Sequence, residues 1–382
     1  MWSPRRAFRS GSLILWASSI ACASACSVAA PAATGASGAS PVSIAAPVSS
    51  ADITWLSVTN LHLRVGSLGI LVDGYVSRVP QSTFVARDLL RTRAPSRPDS
   101  AIVARVLAAI GGPSTVSTVL SGHSHFDHSF DTAMWSKLTG AAIIGPRSTC
   151  LQLVAQDVPP ARCRAVQGGE QLALARGVTL HVVRWNHSGD PAVNPGQHDP
   201  TELARVPVRD SVTGGLRAGL VEDFPNGGGS RAYLFIIETD SGRVTAFFNN
   251  TASPVDLHLP IVVDGVSYGA PLENLRDAMR SAQIQSVDLW IGAGSEAVAR
   301  LILPVLRPRA YLPLHWDDFF APFQGGVSTP YADPAMQRLL DSAAVRLVVP
   351  AQYMDRWRLD TRGVHAVDNR AAKRALGLSP GT

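Results

Sequence analysis

The chain has 382 residues, of which 46% are hydrophobic and 16% charged. That balance excludes a disordered acidic or basic tail protein and leaves ample material for a large core. The net charge of +5 falls to +2 once Arg5, Arg6 and Arg9 are set aside. No basic stripe remains, so nucleic acid is not an expected partner.

Residues 1–26 read as an export signal: a basic start, an apolar stretch from Ser12 to about Ala21, and Ala23-Ser24-Ala25 ahead of Cys26. The apolar stretch falls short of the roughly 20 residues that span a bilayer. Ala23-Ser24-Ala25-Cys26 resembles a lipoprotein lipobox with Ala where Leu is usual, which makes Cys26 a candidate lipid anchor. Arg5-Arg6-Ala7-Phe8 resembles a twin-arginine motif. Residues 27–51 are almost entirely Ala, Ser, Gly, Pro, Val and Thr, too small to bury and without periodicity, hence a linker. One domain over 52–382 is expected to follow, in the periplasm or cell envelope. Cys150 and Cys163 form a C-x12-C pair without a partner pair, which excludes a zinc ribbon. A disulfide and two separate buried thiols both fit, and an exported chain calls for the disulfide.

Segments 53–58, 61–65 and 69–73 are short and β-branched, punctuated by Gly66 and Gly74, and predict antiparallel strands. Ile102, Val103, Val106, Leu107 and Ile110 form a helical stripe over 100–110, closed by Gly111-Gly112. A buried strand over 116–120, a helix over 130–138 and a strand over 141–144 then imply a parallel section, whose strand C-termini are the usual place for a site. A strand over 180–185 leads into a Gly/Pro-rich excursion, 188–230, that reads as a functional flap. A hairpin spans 233–238 and 243–248. Helix 272–282, strand 287–291, helix 296–306 and strand 310–314 resume the alternation.

Ser121-Gly122-His123-Ser124-His125-Phe126-Asp127-His128 stands between the strand over 116–120 and the following helix. Three of the ten histidines fall within six residues, with an aspartate among them. In an extended segment His123 and His125 share one side, while Asp127 and His128 turn away as the helix starts. One pair suits one metal ion and the other pair a neighbouring ion. Imidazole with carboxylate suits zinc, with iron or manganese as alternatives.

On this H-x-H-x-D-H motif the sequence resembles the metallo-β-lactamase superfamily, over roughly residues 53–350. The resemblance implies one αββα sandwich, two mixed β-sheets face to face with helices outside. It further implies that His187, in Trp185-Asn186-His187-Ser188, joins His123 and His125 on a first ion. His315, in Leu312-Pro313-Leu314-His315-Trp316, would join Asp127 and His128 on a second. Leu71-Val72-Asp73-Gly74 matches the family's strand-end Asp-Gly. Where the family carries a bridging aspartate, this chain reads Phe248-Asn249-Asn250-Thr251, so Asn250 takes that position in the metal set; Asp256 is the nearest carboxylate downstream.

The implied activity is hydrolysis of an ester, lactone or phosphoester of a small-molecule substrate. A metal-activated hydroxide would attack, with Asp127 orienting it. Because Asn250 is neutral, one tight zinc and a weak or empty second site are expected. His198, His258 and Trp316 are candidate substrate contacts, while His62 and His181 lie within strands and read as structural. Two rival readings stand beside the hydrolase. One is a β-lactamase, disfavoured because those members usually lack the His after the Asp. The other is a non-catalytic envelope lipoprotein, a binding module that keeps the fold and one metal.

Overall fold

The computed structural model describes residues 48–378. The export signal, Cys26 and nearly all of the linker lie outside the described residues. Ala51, the last residue assigned to the linker, is already paired with Leu359 in a sheet.

Two mixed sheets carry the fold. The first has eight strands in the order Gly363–Val367, Arg356–Asp360, Ala51–Ser57, Asn60–Val65, Leu68–Val72, Thr118–Leu120, Ala142–Gly145 and Cys163–Ala165. The second has seven: Arg346–Leu347, Ala310–Leu314, Leu289–Ala293, Gly242–Asn249, Ser230–Thr239, Val178–Trp185 and Gln171–Ala175. Each sheet is antiparallel in one half and parallel in the other. The parallel halves are where strands alternate with helices in sequence, as a crossover connection requires.

Strand Ser230–Thr239 shows why the sheets are layered. Tyr233, Phe235 and Ile237 enter the core between the sheets, and Ala232, Leu234 and Ile236 enter a second core beneath the outer helices. Residues two apart share a face, so a strand buried on both faces reads as a continuous apolar run. Helices Pro271–Ser281, Glu296–Leu306 and Pro334–Ser342 close the second sheet with Leu272, Leu275, Met279, Ile302, Leu306 and Met336. On the first sheet, helix Thr132–Thr139 packs on Thr118–Leu120 and Ala142–Gly145, and helix Ser100–Ala109 lies against it and against Arg370–Leu376. Ser100–Ala109 starts where the Asp99 carboxylate accepts from Ala101 N and Ile102 N, a side-chain cap on orphan donors. The layers are helix, sheet, sheet, helix, as expected.

Two expectations need correcting. The helix expected over 130–138 is preceded by a separate turn of helix, Phe126–Ser129, and resumes as Thr132–Thr139. The excursion 188–230 is not wholly a flap. Its residues Leu216, Ala218, Leu220 and Phe224 are buried with Phe84, Phe126 and Phe130 in a third, smaller core. A Ser96–Leu216 bridge ties it down further.

Cys150 and Cys163 form a disulfide with Cα atoms 5.5 Å apart, joining helix Arg147–Ala155 to edge strand Cys163–Ala165. Among the described residues no helix is long and apolar enough to cross a membrane.

Candidate metal centre

Every donor predicted for the site leaves a strand at its C-terminal end. His123, His125, Asp127 and His128 follow Thr118–Leu120 of the first sheet, while His187 follows Val178–Trp185 and His315 follows Ala310–Leu314 of the second. The loop of the first sheet is joined directly to the second, since Arg231 N donates to Gly122 O at 2.6 Å. The donors gather into two groups, His123/His125/His187 and Asp127/His128/His315, with the ligand atoms of each group within 4.8 Å of one another. All are buried except the half-buried His315.

The donor atoms converge on common points. His123 Nε2 and His125 Nδ1 are 3.1 Å apart, and Asp127 Oδ2 is 3.2 Å from both His128 Nε2 and His315 Nε2. Two ligands on one tetrahedral zinc at about 2.0–2.1 Å are separated by about 3.3 Å, so these edges fit such an ion. Hydrogen bonds at the opposite nitrogens set the tautomers. His187 Nδ1–H donates to Ser188 O at 2.9 Å, which leaves Nε2 with its lone pair. His128 Nδ1–H donates to Asp73 Oδ2 at 3.0 Å, which turns Nε2 toward Asp127 and His315. A partner of this kind fixes the ring of a ligating histidine. His123 and His125 have no such backing: His123 Nδ1 and His125 Nε2 are buried without a partner.

Electrostatics agree with this division. Burial pushes His123 and His125 well below the ordinary imidazole value, and neighbouring imidazoles push the same way. Burial, then His198, takes His187 down to about 3. The first group is therefore three neutral imidazoles. In the second, burial opposes charge on Asp127, but His128 and His315 hold its carboxyl well below the usual range. Burial likewise acts to lower His128, but Asp127 and Asp73 outweigh it and raise the imidazole to about 10. Two carboxylates thus hold a proton on His128, the position a cation would take over on displacing it.

Asp73 is the hub behind the second group. It is fully buried; Oδ1 accepts from Gly122 N at 2.8 Å, and Oδ2 accepts from Thr59 Oγ1 at 2.6 Å, from Asn250 Nδ2 at 3.0 Å and from His128. Its φ of +59°, followed by Gly74, turns the chain sharply out of strand Leu68–Val72. Asn250 leaves strand Gly242–Asn249 behind His128, with Nδ2 3.2 Å from His128 Nδ1 and Oδ1 buried without a partner. It lies so close over Gly122 that a Cβ there would meet Asn250 Nδ2 at 2.0 Å, so residue 122 must be glycine. Asp256 belongs to neither donor group; its Oδ1 accepts from Asn186 Nδ2 at 2.5 Å.

Of the candidate substrate contacts, His198 is brought to the site, its ring 5.2 Å from that of His187. Trp316 stacks on Trp55 and, with His315, lines a cavity of about 550 Å³ shared with Ser188, Thr251, Leu314 and Tyr331. His258 is exposed and is not brought to the donors, because its loop past Pro254 has already left the sheet. His62 and His181 sit in strands away from the donors, as expected. Sequence reasoning passed over Thr59, which sits in the turn before strand Asn60–Val65 and carries no motif. It also passed over Asp317, which follows the His315-Trp316 pair. Asp317 Oδ2 accepts from Val58 N at 3.0 Å and Tyr353 OH at 2.7 Å, and His315 N donates to Val58 O at 3.1 Å, so the loop carrying His315 is pinned at both ends.

No protein-family model and no curated protein matches the sequence. Among solved structures the chain is similar to Igni18, a metallo hydrolase from the hyperthermophilic archaeon Ignicoccus hospitalis. Identity is 13%, over 81% of this chain and 99% of that one, with a TM-score of 0.46. It is also similar to the metallo-β-lactamase fold protein YhfI from Bacillus subtilis, at 11% identity over 81% and 99% with a TM-score of 0.43. A third is a possible metal-dependent hydrolase from Veillonella parvula, at 12% identity over 80% and 98% with a TM-score of 0.43. The helix–sheet–sheet–helix layering and the two donor groups at the strand ends make the described residues a metallo-β-lactamase-like fold.

Proposed function

We propose that the protein is an exported metal-dependent hydrolase acting on an ester, lactone or phosphoester of a small molecule. The observation that carries this reading is the convergence of His123/His125/His187 and Asp127/His128/His315, with the rings of His187 and His128 held at Nδ1 by Ser188 O and Asp73. Zinc held there would supply Lewis acidity and lower the pKa of a coordinated water to about 7. The chain's own residues do the rest. Asp127, held ionised, turns Oδ2 to His128 and His315 and would orient the attacking water by accepting a hydrogen bond from it. The cavity beside His315 and Trp316 receives the substrate and shields it from bulk water. The first group binds zinc tightly and the second weakly, because Asn250 brings no charge and its amide nitrogen is committed to Asp73. Export rests on the first 26 residues, with Cys26 as the point of lipid attachment, and the Cys150–Cys163 disulfide suits an oxidising compartment.

Asn250 also favours a second reading, a non-catalytic envelope binding module with one metal. Turnover of a panel of esters, lactones and phosphodiesters by metal-loaded protein, lost in His123→Ala, supports the hydrolase. Stoichiometric metal with no turnover on any member supports the binding module.

A further inference from the structure

Four residues without the freedom of glycine hold positive φ around the second donor group: Val58 at +45°, Asp73 at +59°, Arg78 at +57° and His315 at +60°. For β-branched Val58 this is a strained conformation, and such strain persists only where the surroundings hold it. Val58 stands in the turn between strands Ala51–Ser57 and Asn60–Val65, and both its backbone groups are taken. Val58 O accepts from His315 N and from Trp55 Nε1, each at 3.1 Å. Val58 N donates to Asp317 Oδ2 at 3.0 Å, two residues beyond His315. Thr59, next in the turn, places its hydroxyl 2.6 Å from Asp73 Oδ2 and 2.9 Å from His128 Nδ1. A turn of two residues therefore meets the backbone of His315 on one side and the ring of His128 on the other.

Asp317 ties that turn to the His315 loop, and Arg78 stands against Asp317. The side chains of Arg78 and Asp317 are 3% and 2% exposed, with Arg78 Nη2 3.6 Å from Asp317 Oδ2. The same Nη2 donates to Tyr353 OH at 2.9 Å, and Tyr353 OH donates on to Asp317 Oδ2 at 2.7 Å. Arg78 Nε and Nη1 are buried without a partner, and the guanidinium carbon lies 5.6 and 5.5 Å from the ring centroids of Tyr75 and Tyr353. A guanidinium buried with so few bonds is a poor way to stabilise a core, where apolar packing often does as well or better. Asp131, the other acid within its influence, has its oxygens on Val76 N, Ser77 N and Ser77 Oγ. Among the described residues Asp317 is the ion-pair partner of Arg78. On the metal-centre reading, we propose that Arg78 is a positioning residue for the second ion. Paired with Asp317, it locks the Val58-Thr59 turn and through it holds His315 and His128 with Nε2 toward Asp127. Without the guanidinium, Asp317 is left buried with no counter-charge and the strained turn loses its hold. The hydrogen bonds of the first group, His123 to His125 and His187 to Ser188, draw on none of these contacts.

The test is cobalt(II) titration of wild type, Arg78→Met and Arg78→Lys, read by visible absorption, with amide exchange measured on the zinc-loaded proteins. In Arg78→Met the second-ion affinity is expected to fall at least about tenfold while the first is unchanged, as when a side chain that orients a ligand is lost. Exchange at the Val58 and His315 amides should quicken by a similar factor, while Tyr233 and Phe235, paired on both sides within the second sheet, keep wild-type rates. Arg78→Lys keeps the charge but not the fork, so it should shift both readings less and in the same direction. It decides the matter if Arg78→Met does not fold. Wild-type values in every variant that folds overturn the proposal. So does weakening of both ions together or faster exchange throughout the sheets, the mark of a purely structural arginine. Faster exchange at the turn with an unchanged second ion overturns it as well. A wild type that takes only the first ion refutes the proposal and leaves the metal centre standing, whereas one that takes no cobalt refutes both.

Discussion

Asn250 concentrates the chemistry that a single side chain can decide. Its Nδ2 donates to the fully buried Asp73 carboxylate at 3.0 Å. In Asn250→Asp that donor becomes a second carboxylate facing the first, and two buried like charges at this distance strongly disfavour joint ionisation. Metal-free Asn250→Asp is therefore expected to melt below the wild type. Added zinc should restore it and bind the second group more tightly than in the wild type, which titration with a chromogenic chelator measures. Equal melting and equal second-ion affinity in the two proteins would contradict this account. Asp73 yields the complementary prediction. Asp73→Asn removes the acceptor that holds His128 Nδ1–H, and loss of such a backing carboxylate typically weakens metal binding about 10–100-fold. Second-ion affinity should drop by that order while binding at His123/His125/His187 is spared; equal loss at both groups would instead mean general unfolding. His123, His125, Asp127 and His128 were legible in the sequence as a dense motif at a strand end, and His187 and His315 through the family resemblance that the motif opened. Thr59 was not, since one threonine in a turn is too common to signal anything, and only the fold brings it to Asp73 and His128.

Strands and helices were legible where the pattern was local. The stripe over 100–110 and the hairpin over 233–248 appear as Ser100–Ala109 and Ser230–Thr239/Gly242–Asn249. Strands Arg356–Asp360 and Gly363–Val367 were not anticipated: each is only five residues long, and the pairing of Arg356–Asp360 with Ala51–Ser57, at the other end of the domain, leaves no local signal. On the neighbouring strand Asn60–Val65, His62 is buried with Nε2 2.8 Å from Thr115 O, and burial lowers it to about 4 from an ordinary 6.5. The unfolded chain then binds a proton between these values that the folded chain does not. The contribution of a neutral His62 is thus complete above pH 6.5 and is lost as the pH falls toward 4, by about 3 kcal/mol in all. His62→Gln should flatten the fall of stability over that window in urea titrations, and an unchanged slope would remove His62 as its cause. The Cys150–Cys163 link acts at the same scale, tying helix Arg147–Ala155 to the edge of the first sheet. Closing so short a loop stabilises by about 3 kcal/mol in the chain-entropy model. Reductant should lower the urea midpoint of the wild type and leave Cys150→Ala/Cys163→Ala unmoved, whereas identical midpoints in all conditions would show the link to be dispensable.

The whole molecule is two sheets whose strand ends meet at one edge, and the donor groups draw on both. His123, His125, Asp127 and His128 come from the first sheet, His187 and His315 from the second. An ion held by His123, His125 and His187 therefore bridges the sheets, and a ligand that binds only the folded state stabilises it by mass action. The order of motifs made the sandwich readable in outline. What the sequence could not convey was the packing of 216–224 into a third core, because that depends on Phe84, Phe126 and Phe130 arriving from distant segments. The central claim, that these six residues form a hydrolytic metal centre, is tested most directly by one comparison. Wild type and His123→Ala are purified, reconstituted with zinc, and measured side by side for bound metal and for turnover of an ester, lactone and phosphodiester panel. The account predicts at least one tightly held zinc and measurable turnover in the wild type, with both lost or severely reduced in the variant. Full metal content and undiminished turnover in His123→Ala would contradict it.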